Sequence, residues 1–147
     1  MIFLKNYTNR SVVILGLGRS GIALAEALNQ SGAKVLVWDD NPDVLLKACE
    51  RGFEAFDQSK KGHWEQIDIL LVSPGVPFSY PKTHSIILEA SNAQVPIDND
   101  IGLFFSILET TKKNFKVPPK VIAITGSNGK STTSSLVYHI LLESGIT

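Results

Sequence analysis

Short apolar runs alternate along the chain with segments whose apolar positions recur at helical spacing. Three of the runs are almost continuous in their hydrophobicity, which is typical of strands that are buried on both faces of a sheet. These runs cover residues 11–16, 34–39 and 67–72. Residues 22–30 have helical spacing, and Asn41 with Pro42 predicts the N-cap and first turn of another helix. Strands that alternate with helices predict a Rossmann-like α/β fold, in which helices cover both faces of a parallel sheet.

The second half of the chain continues this alternation and then changes in character. Two further helices and a short extended segment between them are predicted at 83–92, 99–108 and 95–98. Residues 111–119 are polar, basic and contain proline, which is typical of a linker between domains. We therefore predict a Rossmann-like domain over residues 1–110 and the first strand and helix of a second α/β domain over residues 120–147.

A phosphate-binding loop is predicted where the second domain begins. An apolar run from Val121 predicts a strand, and a helical pattern follows the loop. The loop residues are Gly126, Ser127, Asn128, Gly129, Lys130, Ser131 and Thr132. Glycines allow a tight turn that brings N–H groups close to phosphate oxygens, and the helix N-terminus adds partial positive charge. Lys130 is expected to neutralise charge on the β- and γ-phosphates of ATP, and the Ser131 hydroxyl to ligate Mg²⁺.

The glycine spacing of this loop is shorter than in the common pattern. Two residues separate Gly126 from Gly129, whereas four usually separate the first glycine from the Gly-Lys pair. The alternative interpretation is an ordinary glycine-rich turn followed by a solvated lysine. The apolar run before the loop and the hydroxyl-rich sequence after Lys130 favour the phosphate loop.

A second nucleotide site is predicted in the first domain. Residues 16–21 form a Gly-x-Gly-x-x-Gly run between a strand and a helix, and Asp39 follows the next strand at the spacing of a ribose-binding acid. Arg19 and Ser20 are expected to face the ligand beside Gly18. The alternative is a tight turn that needs glycine for helix–sheet packing, with Asp39 solvated at a strand end and Arg19 on the surface.

The loop Ser73-Pro74-Gly75 follows the third apolar run. Ligands of parallel sheets bind beyond the carboxyl ends of the strands, so the loops after all three runs are expected to share one site. Pro74 favours extended geometry before it and Gly75 permits close approach, which makes Ser73 and Gly75 candidate contacts of a diphosphate. A plain turn explains these residues equally well.

Other polar residues give less specific signals. Asp98 and Asp100 lie near a predicted helix start, where carboxylates commonly serve as caps. The three histidines are scattered without the spacing of metal ligands, and we interpret them as surface or packing residues. They are His63, His84 and His139.

Composition excludes several classes of function. The chain has 147 residues with 14 basic and 14 acidic side chains, and a formal net charge of zero gives no argument for a nucleic-acid or membrane-surface partner. The single cysteine, Cys49, cannot form an internal disulfide and fits a reducing cytoplasm. No apolar stretch approaches the roughly 20 residues that span a bilayer, and the apolar patch at the N-terminus is too short for a signal peptide. We expect a cytoplasmic protein without membrane insertion, and the sequence does not indicate an oligomeric state.

Taken in order along the chain, the motifs resemble those of the Mur ligases. They occupy residues 16–21, 39, 73–77, 98–104 and 124–132. The resemblance covers nearly the whole chain but only the N-terminal part of such an enzyme, and its most specific motif is the phosphate loop with short glycine spacing. The N-terminal loops are most similar to those of the D-glutamate-adding branch. Asp40 departs from the family pattern, which usually has a hydroxyl residue there, and Gly102 stands where an acidic residue is expected.

The resemblance implies a peptidoglycan-precursor ligase of the cytoplasm that joins D-glutamate to UDP-N-acetylmuramoyl-L-alanine with ATP and Mg²⁺. In this family the acceptor carboxylate attacks the γ-phosphoryl group to give an acyl phosphate, from which the amine of D-glutamate displaces phosphate. The implied contacts to the UDP substrate come from Gly18, Arg19, Ser20, Asp39, Asp40, Ser73 and Gly75. The resemblance implies that Arg19 and Ser20 lie by the uracil, Asp39 and Asp40 near the base, and Ser73 and Gly75 near the diphosphate. The family's remaining catalytic groups and its amino-acid-binding third domain have no match in this sequence. We therefore expect the 147-residue chain to bind ATP weakly and not to complete the reaction alone.

Two other functions fit part of the sequence. Residues 16–21 with Asp39 fit the NAD(P)-binding domain of an oxidoreductase or regulator equally well, but this interpretation leaves residues 126–132 unexplained. A non-catalytic UDP-sugar-binding module is the third hypothesis. A reading frame that continues past Thr147 would favour the enzyme over the module.

Overall fold

In the computed structural model, which describes residues 4–59, 62–78, 82–112 and 116–145, five parallel strands form one sheet. The strands are β1 (Ser11–Leu15), β2 (Lys34–Trp38), β3 (Glu54–Ala55), β4 (Ile69–Val72) and β5 (Ile97–Asn99). Their order across the sheet is β3-β2-β1-β4-β5, so β1 is central and the chain crosses from one half of the sheet to the other after β3. Leu15 pairs with Trp38 on one side and with Val72 on the other. The carboxyl ends of β1, β2 and β4 therefore lie side by side.

Five α-helices are present in the described residues. They are α1 (Arg19–Gln30), α2 (Pro42–Glu50), α3 (Ser85–Asn92), α4 (Asp100–Thr111) and α5 (Lys130–Glu143), with short 3₁₀ helices at Lys5–Tyr7 and His63–Gln66. Of these helices, α1, α2 and α3 connect successive strands. The predicted cap of α2 is confirmed, because the side chain of Asn41 accepts a 3.0 Å hydrogen bond from the backbone N–H of Asp43. None of the described helices is long and apolar enough to cross a bilayer.

The core lies on both faces of the sheet. Val12 and Ile14 of β1 belong to a buried cluster that α1, α2 and α4 cover, whereas Val13 and Leu15 belong to a second cluster that α3 covers. Successive side chains of a strand point to opposite faces, so one apolar run supplies both clusters. The predicted parallel sheet with helices on both faces is confirmed.

Two local features differ from the sequence-based expectation. The two-residue strand β3 at the sheet edge was not predicted, because two residues are too few to show a periodic pattern. The first turn of α4 is capped by Asn99, whose side-chain oxygen accepts from the backbone N–H groups of Ile101 and Gly102 at 3.0 and 2.9 Å. Of the predicted caps, Asp100 also accepts a bond in this turn, from the backbone N–H of Ile101 at 2.9 Å, whereas Asp98 accepts from Asn99, before the helix.

The chain divides into two compact units, Met1–Thr111 and Lys112–Thr147. In the second unit, α5 begins at Lys130 as the sequence pattern predicts, and none of its residues is buried. The predicted strand at Val121 is wrong, since residues 116–126 contain neither helix nor strand. A strand is stable only when its backbone groups pair with a neighbour, and the described residues of this unit form no such neighbour. Residues 113–115 of the predicted linker lie outside the described residues.

Candidate functional site

A cavity of about 500 Å³ lies at the carboxyl ends of β1, β2 and β4. The loops that follow these three strands line it, together with the residue that precedes α3. All seven residues that the sequence suggested for a UDP-containing ligand belong to its lining: Gly18, Arg19, Ser20, Asp39, Asp40, Ser73 and Gly75. The structure therefore brings together at one edge residues that are up to 57 positions apart in the chain, as in Gly18 and Gly75.

The three glycines of the run after β1 have different conformations and surroundings. Gly16 has φ +89°, a conformation that side chains strongly disfavour. At Gly21 a Cβ atom would lie 2.0 Å from the carbonyl oxygen of Gly16, so glycine allows α1 to pack closely on the end of β1. At Gly18 a Cβ atom would meet no protein atom within 4 Å, and its φ of −63° is allowed to any residue. Neither packing nor backbone conformation explains Gly18, which is the N-cap of α1, a position where glycine is favoured over most apolar residues.

Asp39 holds the glycine loop against the end of β2. One carboxylate oxygen accepts a 2.7 Å hydrogen bond from the backbone N–H of Leu17, and the other accepts a 2.9 Å bond from Asn41. Each carboxylate oxygen can accept a further bond, so these contacts leave capacity for a ligand hydroxyl. Asp39 is thus a structural part of the loop, and its place in the cavity lining also suits it to ligand contact.

Ser73 joins the loop after β4 to the glycine loop. Its hydroxyl donates a 2.6 Å hydrogen bond to the carbonyl oxygen of Gly16. Because the hydroxyl hydrogen is used in this bond, Ser73 is available to a ligand only as an acceptor through its side chain. Gly75 resembles Gly18, since a Cβ atom there would meet no protein atom within 4 Å.

The cavity is polarised along its lining. At one side, α1 begins after Gly18 without a side-chain cap and without an acidic residue in its first turn, and Arg19 adds a positive charge. Uncapped N–H groups at a helix start favour anions. At another side, Asp39 and Asp40 contribute carboxylates, which accept hydrogen bonds. Such an arrangement suits a ligand with an anionic part and a part rich in hydrogen-bond donors, as in a nucleotide.

His84 is a member of the lining that sequence reasoning missed. It was interpreted as a surface or packing residue, but its Nε2 atom lies 2.9 Å from Oδ2 of Asp40. The only signal in the sequence was its position in the first turn of the helix predicted at 83–92, after a loop at the carboxyl edge of the sheet, whereas the observed helix α3 begins one residue after His84, at Ser85. That signal is weak, because the loop conformation decides whether such a residue turns towards the cavity.

Gly102, which departs from the Mur ligase pattern, has a packing explanation. A Cβ atom at this position would lie 1.9 Å from Oδ1 of Asp98. The carboxylate of Asp98 therefore occupies the space that a side chain at position 102 would need. An acidic residue there would require Asp98 to move.

The predicted phosphate loop lies in the second unit. Gly126 has φ +149° and Gly129, the N-cap of α5, has φ +79°, so both glycines adopt backbone conformations that other residues disfavour. The ammonium group of Lys130 donates to the carbonyl oxygens of Gly126 and Ser127. The remaining loop residues Asn128, Ser131 and Thr132 are exposed. Within the described residues no cluster of three or more His, Cys, Asp or Glu side chains could hold a metal ion.

Comparison with known proteins shows that the chain is similar in sequence to one family of ligases. The sequence matches the family described as "Mur ligase MurD-like, N-terminal domain" over residues 10–97. A UDP-N-acetylmuramoylalanine–D-glutamate ligase of Ruegeria pomeroyi is 48% identical over 146 residues, which are 99% of this chain and 31% of that protein. The ligase of the same name from Cereibacter sphaeroides strain ATCC 17025 is 46% identical with the same coverage. The chain thus spans 31% of the length of these curated relatives.

Among solved structures, the shikimate dehydrogenase of Aquifex aeolicus superposes with a TM-score of 0.53 at 14% sequence identity. The match covers 78% of this chain and 51% of the dehydrogenase. At this level of identity the similarity shows the Rossmann-like fold alone.

Proposed function

Because this chain belongs to the Mur ligase family, with a MurD-like N-terminal domain, we propose that it binds the UDP end of UDP-N-acetylmuramoyl-L-alanine. The parent reaction is the ATP-dependent addition of D-glutamate to this acceptor in peptidoglycan precursor synthesis. The names of the relatives support the substrate, and the polarised cavity at the carboxyl edge of the sheet supports the position of its nucleotide part.

The observation that carries this proposal is Gly18. It lines the cavity, and neither its φ nor packing requires glycine there, which favours close approach of a ligand at this helix N-cap. In glycine runs of this type the second glycine lets the backbone approach a pyrophosphate. We place the diphosphate at the start of α1, near Gly18, Arg19 and Ser20, and within reach of the Ser73–Gly75 loop. The ribose and uracil then lie towards Asp39 and Asp40.

The second unit is proposed to hold the phosphates of ATP. Both loop glycines adopt the conformations that a tight phosphate loop needs, and α5 begins directly after the loop without a side-chain cap. Lys130 now donates to two loop carbonyls, so it exchanges these bonds for phosphate oxygens when the nucleotide binds. Ser131, the second residue of α5, offers a hydroxyl to Mg²⁺. ATP supplies the phosphoryl group that activates the acceptor carboxylate, and Lys130 neutralises charge during its transfer.

We further propose that the 147-residue chain alone does not complete ligation. The described residues supply a nucleotide cavity and a phosphate loop, and the chain spans only 31% of the length of the curated ligases that it matches. Sustained formation of the D-glutamyl product by the purified chain would contradict this proposal. The cytoplasmic location stays a prediction.

The test is calorimetric titration of the chain with UDP-N-acetylmuramoyl-L-alanine and, separately, with NADH. We expect binding of the UDP compound in the micromolar range and no measurable binding of NADH. A Gly18→Val variant should fold normally and lose most of this affinity, because the added side chain projects into space that no protein atom occupies. Selective binding of NADH would overturn the proposal in favour of a dinucleotide-binding domain. Unchanged affinity of Gly18→Val would remove its main support.

A further inference from the structure

His84 and Asp40 join two separate parts of the cavity lining. The Nε2 atom of His84 lies 3.0 Å from Oδ1 and 2.9 Å from Oδ2 of Asp40. Asp40 follows β2, whereas His84 immediately precedes α3 on the other half of the sheet. Their contact therefore connects the end of β2 with the start of α3 across the cavity that both residues line.

The backbone of α3 determines which ring nitrogen of His84 carries the proton. Nδ1 accepts a 3.2 Å hydrogen bond from the backbone N–H of Ile86, and His84 is thereby the N-cap of the helix. A nitrogen that accepts this bond carries no hydrogen, so the neutral ring has its proton on Nε2. Nε2 consequently donates to the carboxylate of Asp40.

The contact restricts the position of a carboxylate on a largely exposed side chain. The side chain of Asp40 is 72% exposed, whereas that of His84 is 13% exposed and is anchored by the helix cap. The indole Nε1 of Trp38 lies 3.3 Å from Oδ1 of Asp40 and is a second donor. With two donors on the protein side, the carboxylate keeps lone pairs for a hydrogen-bond donor in the cavity.

We propose that His84 is a positioning residue that holds Asp40 as an acceptor for a donor on the nucleoside part of the ligand. This inference rests on the proposed UDP site and adds a determinant of its specificity. A carboxylate cannot donate, so it selects N–H and O–H groups, and hydrogen bonds to an ionised acceptor are stronger than neutral ones. The N3–H of uracil and the hydroxyls of ribose both have this chemistry.

Two substitutions of His84 separate its two contacts. Asparagine places an acceptor near the position of Nδ1, so His84→Asn retains the helix cap and loses the contact with Asp40. Glutamine extends further, so His84→Gln keeps a donor for Asp40 and loses the cap. His139→Asn, in the exposed part of α5, is the matched control outside the cavity.

The full chain and the three variants are titrated with UDP and with CDP, and their melting temperatures are measured. We expect His84→Asn to weaken UDP binding about tenfold at a nearly unchanged Tm. His84→Gln should lower the Tm while its Kd for UDP stays within about threefold of the wild type. If uracil supplies the donor, the wild type prefers UDP over CDP and His84→Asn loses this preference. If the ribose supplies the donor, His84→Asn loses affinity for UDP and for CDP by the same factor.

Wild-type affinity of His84→Asn for UDP would overturn this inference and leave the UDP site intact. An equal loss of affinity in His84→Asn and His84→Gln would also overturn it, because the effect would then follow from the ring and not from the bond to Asp40. Failure of the wild-type chain to bind UDP would overturn the proposed function on which the inference rests.

Discussion

The hydroxyl of Ser73 donates a 2.6 Å hydrogen bond to the carbonyl oxygen of Gly16. The backbone N–H of Gly16 in turn donates a 2.8 Å bond to the carbonyl of Trp38 at the end of β2. A single glycine therefore connects the loops after β4 and β1 with the end of β2. This connection fixes the lining of the cavity before any ligand enters.

Substitution Ser73→Ala should destabilise the first unit and weaken UDP binding. The carbonyl of Gly16 would lose its side-chain donor, which costs about 1 kcal/mol for a neutral hydrogen bond. Urea unfolding followed by circular dichroism measures the free energy of unfolding, and calorimetry measures the affinity. Ser106→Ala, on the exposed part of α4, is the control. Equal stability of Ser73→Ala and wild type would show that this bond makes no net contribution.

Two glycines of the same run should respond differently to alanine. Gly21→Ala places a Cβ atom 2.0 Å from the carbonyl oxygen of Gly16, and relief of this overlap moves α1 away from the sheet. We expect a loss of about 1–3 kcal/mol in the free energy of unfolding. Gly18→Ala meets no protein atom within 4 Å and should change stability by less than about 0.5 kcal/mol. A large stability loss in Gly18→Ala would mean that the second glycine also serves the fold.

The first unit should lose stability at alkaline pH through Tyr7. Burial raises the pKa of Tyr7 above its ordinary value of 10.0, the carboxylate of Asp98 raises it further, and Arg10 opposes the rise. The folded state holds the phenolic proton more tightly than the unfolded state. The resulting stability is therefore fully present below pH 10.0, the unfolded value, and is lost as the pH rises through the folded pKa.

Substitution Tyr7→Phe should remove this component of the alkaline loss. Urea unfolding between about pH 9 and pH 11 would show a shallower fall in the free energy of unfolding than in the wild type. Tyr138→Phe, at a side chain that is 68% exposed, should behave like the wild type. The same slope in Tyr7→Phe and wild type would assign the alkaline loss to other groups.

The chain should bind Mg²⁺-ATP weakly, with a Kd of about 1 mM or more. No residue of α5 is buried, and the described part of the second unit offers one loop and one helix to the nucleotide. Lys130→Ala should abolish the residual binding, whereas Lys120→Ala, at an exposed lysine before the loop, should not. Equilibrium dialysis with labelled ATP measures both. Tight binding that depends on Lys130 would show that the unit is more complete than its described residues indicate.

Much of the fold could be predicted because its signals are local. The continuous apolar runs at Ser11–Leu15 and Lys34–Trp38 are strands because side chains that alternate between two buried faces are all apolar. The cap at Asn41 also depends on neighbouring residues only. The predicted strand at Val121 was wrong because its signal is not local. An apolar run becomes a strand only when another strand pairs with it, and the residues of the run do not show whether such a partner exists.

By itself, the sequence determined the fold class, the family and the residues of the three loops that line the cavity. Motif spacing suffices for these features, because turn geometry and strand length depend on adjacent residues. Only the tertiary structure decided that the Ser73 hydroxyl donates its hydrogen bond to the carbonyl oxygen of Gly16 and that His84 contacts Asp40. Each of these contacts joins residues 44 or 57 positions apart. Strand order brings such residues together, and it follows from how the whole sheet packs on its helices.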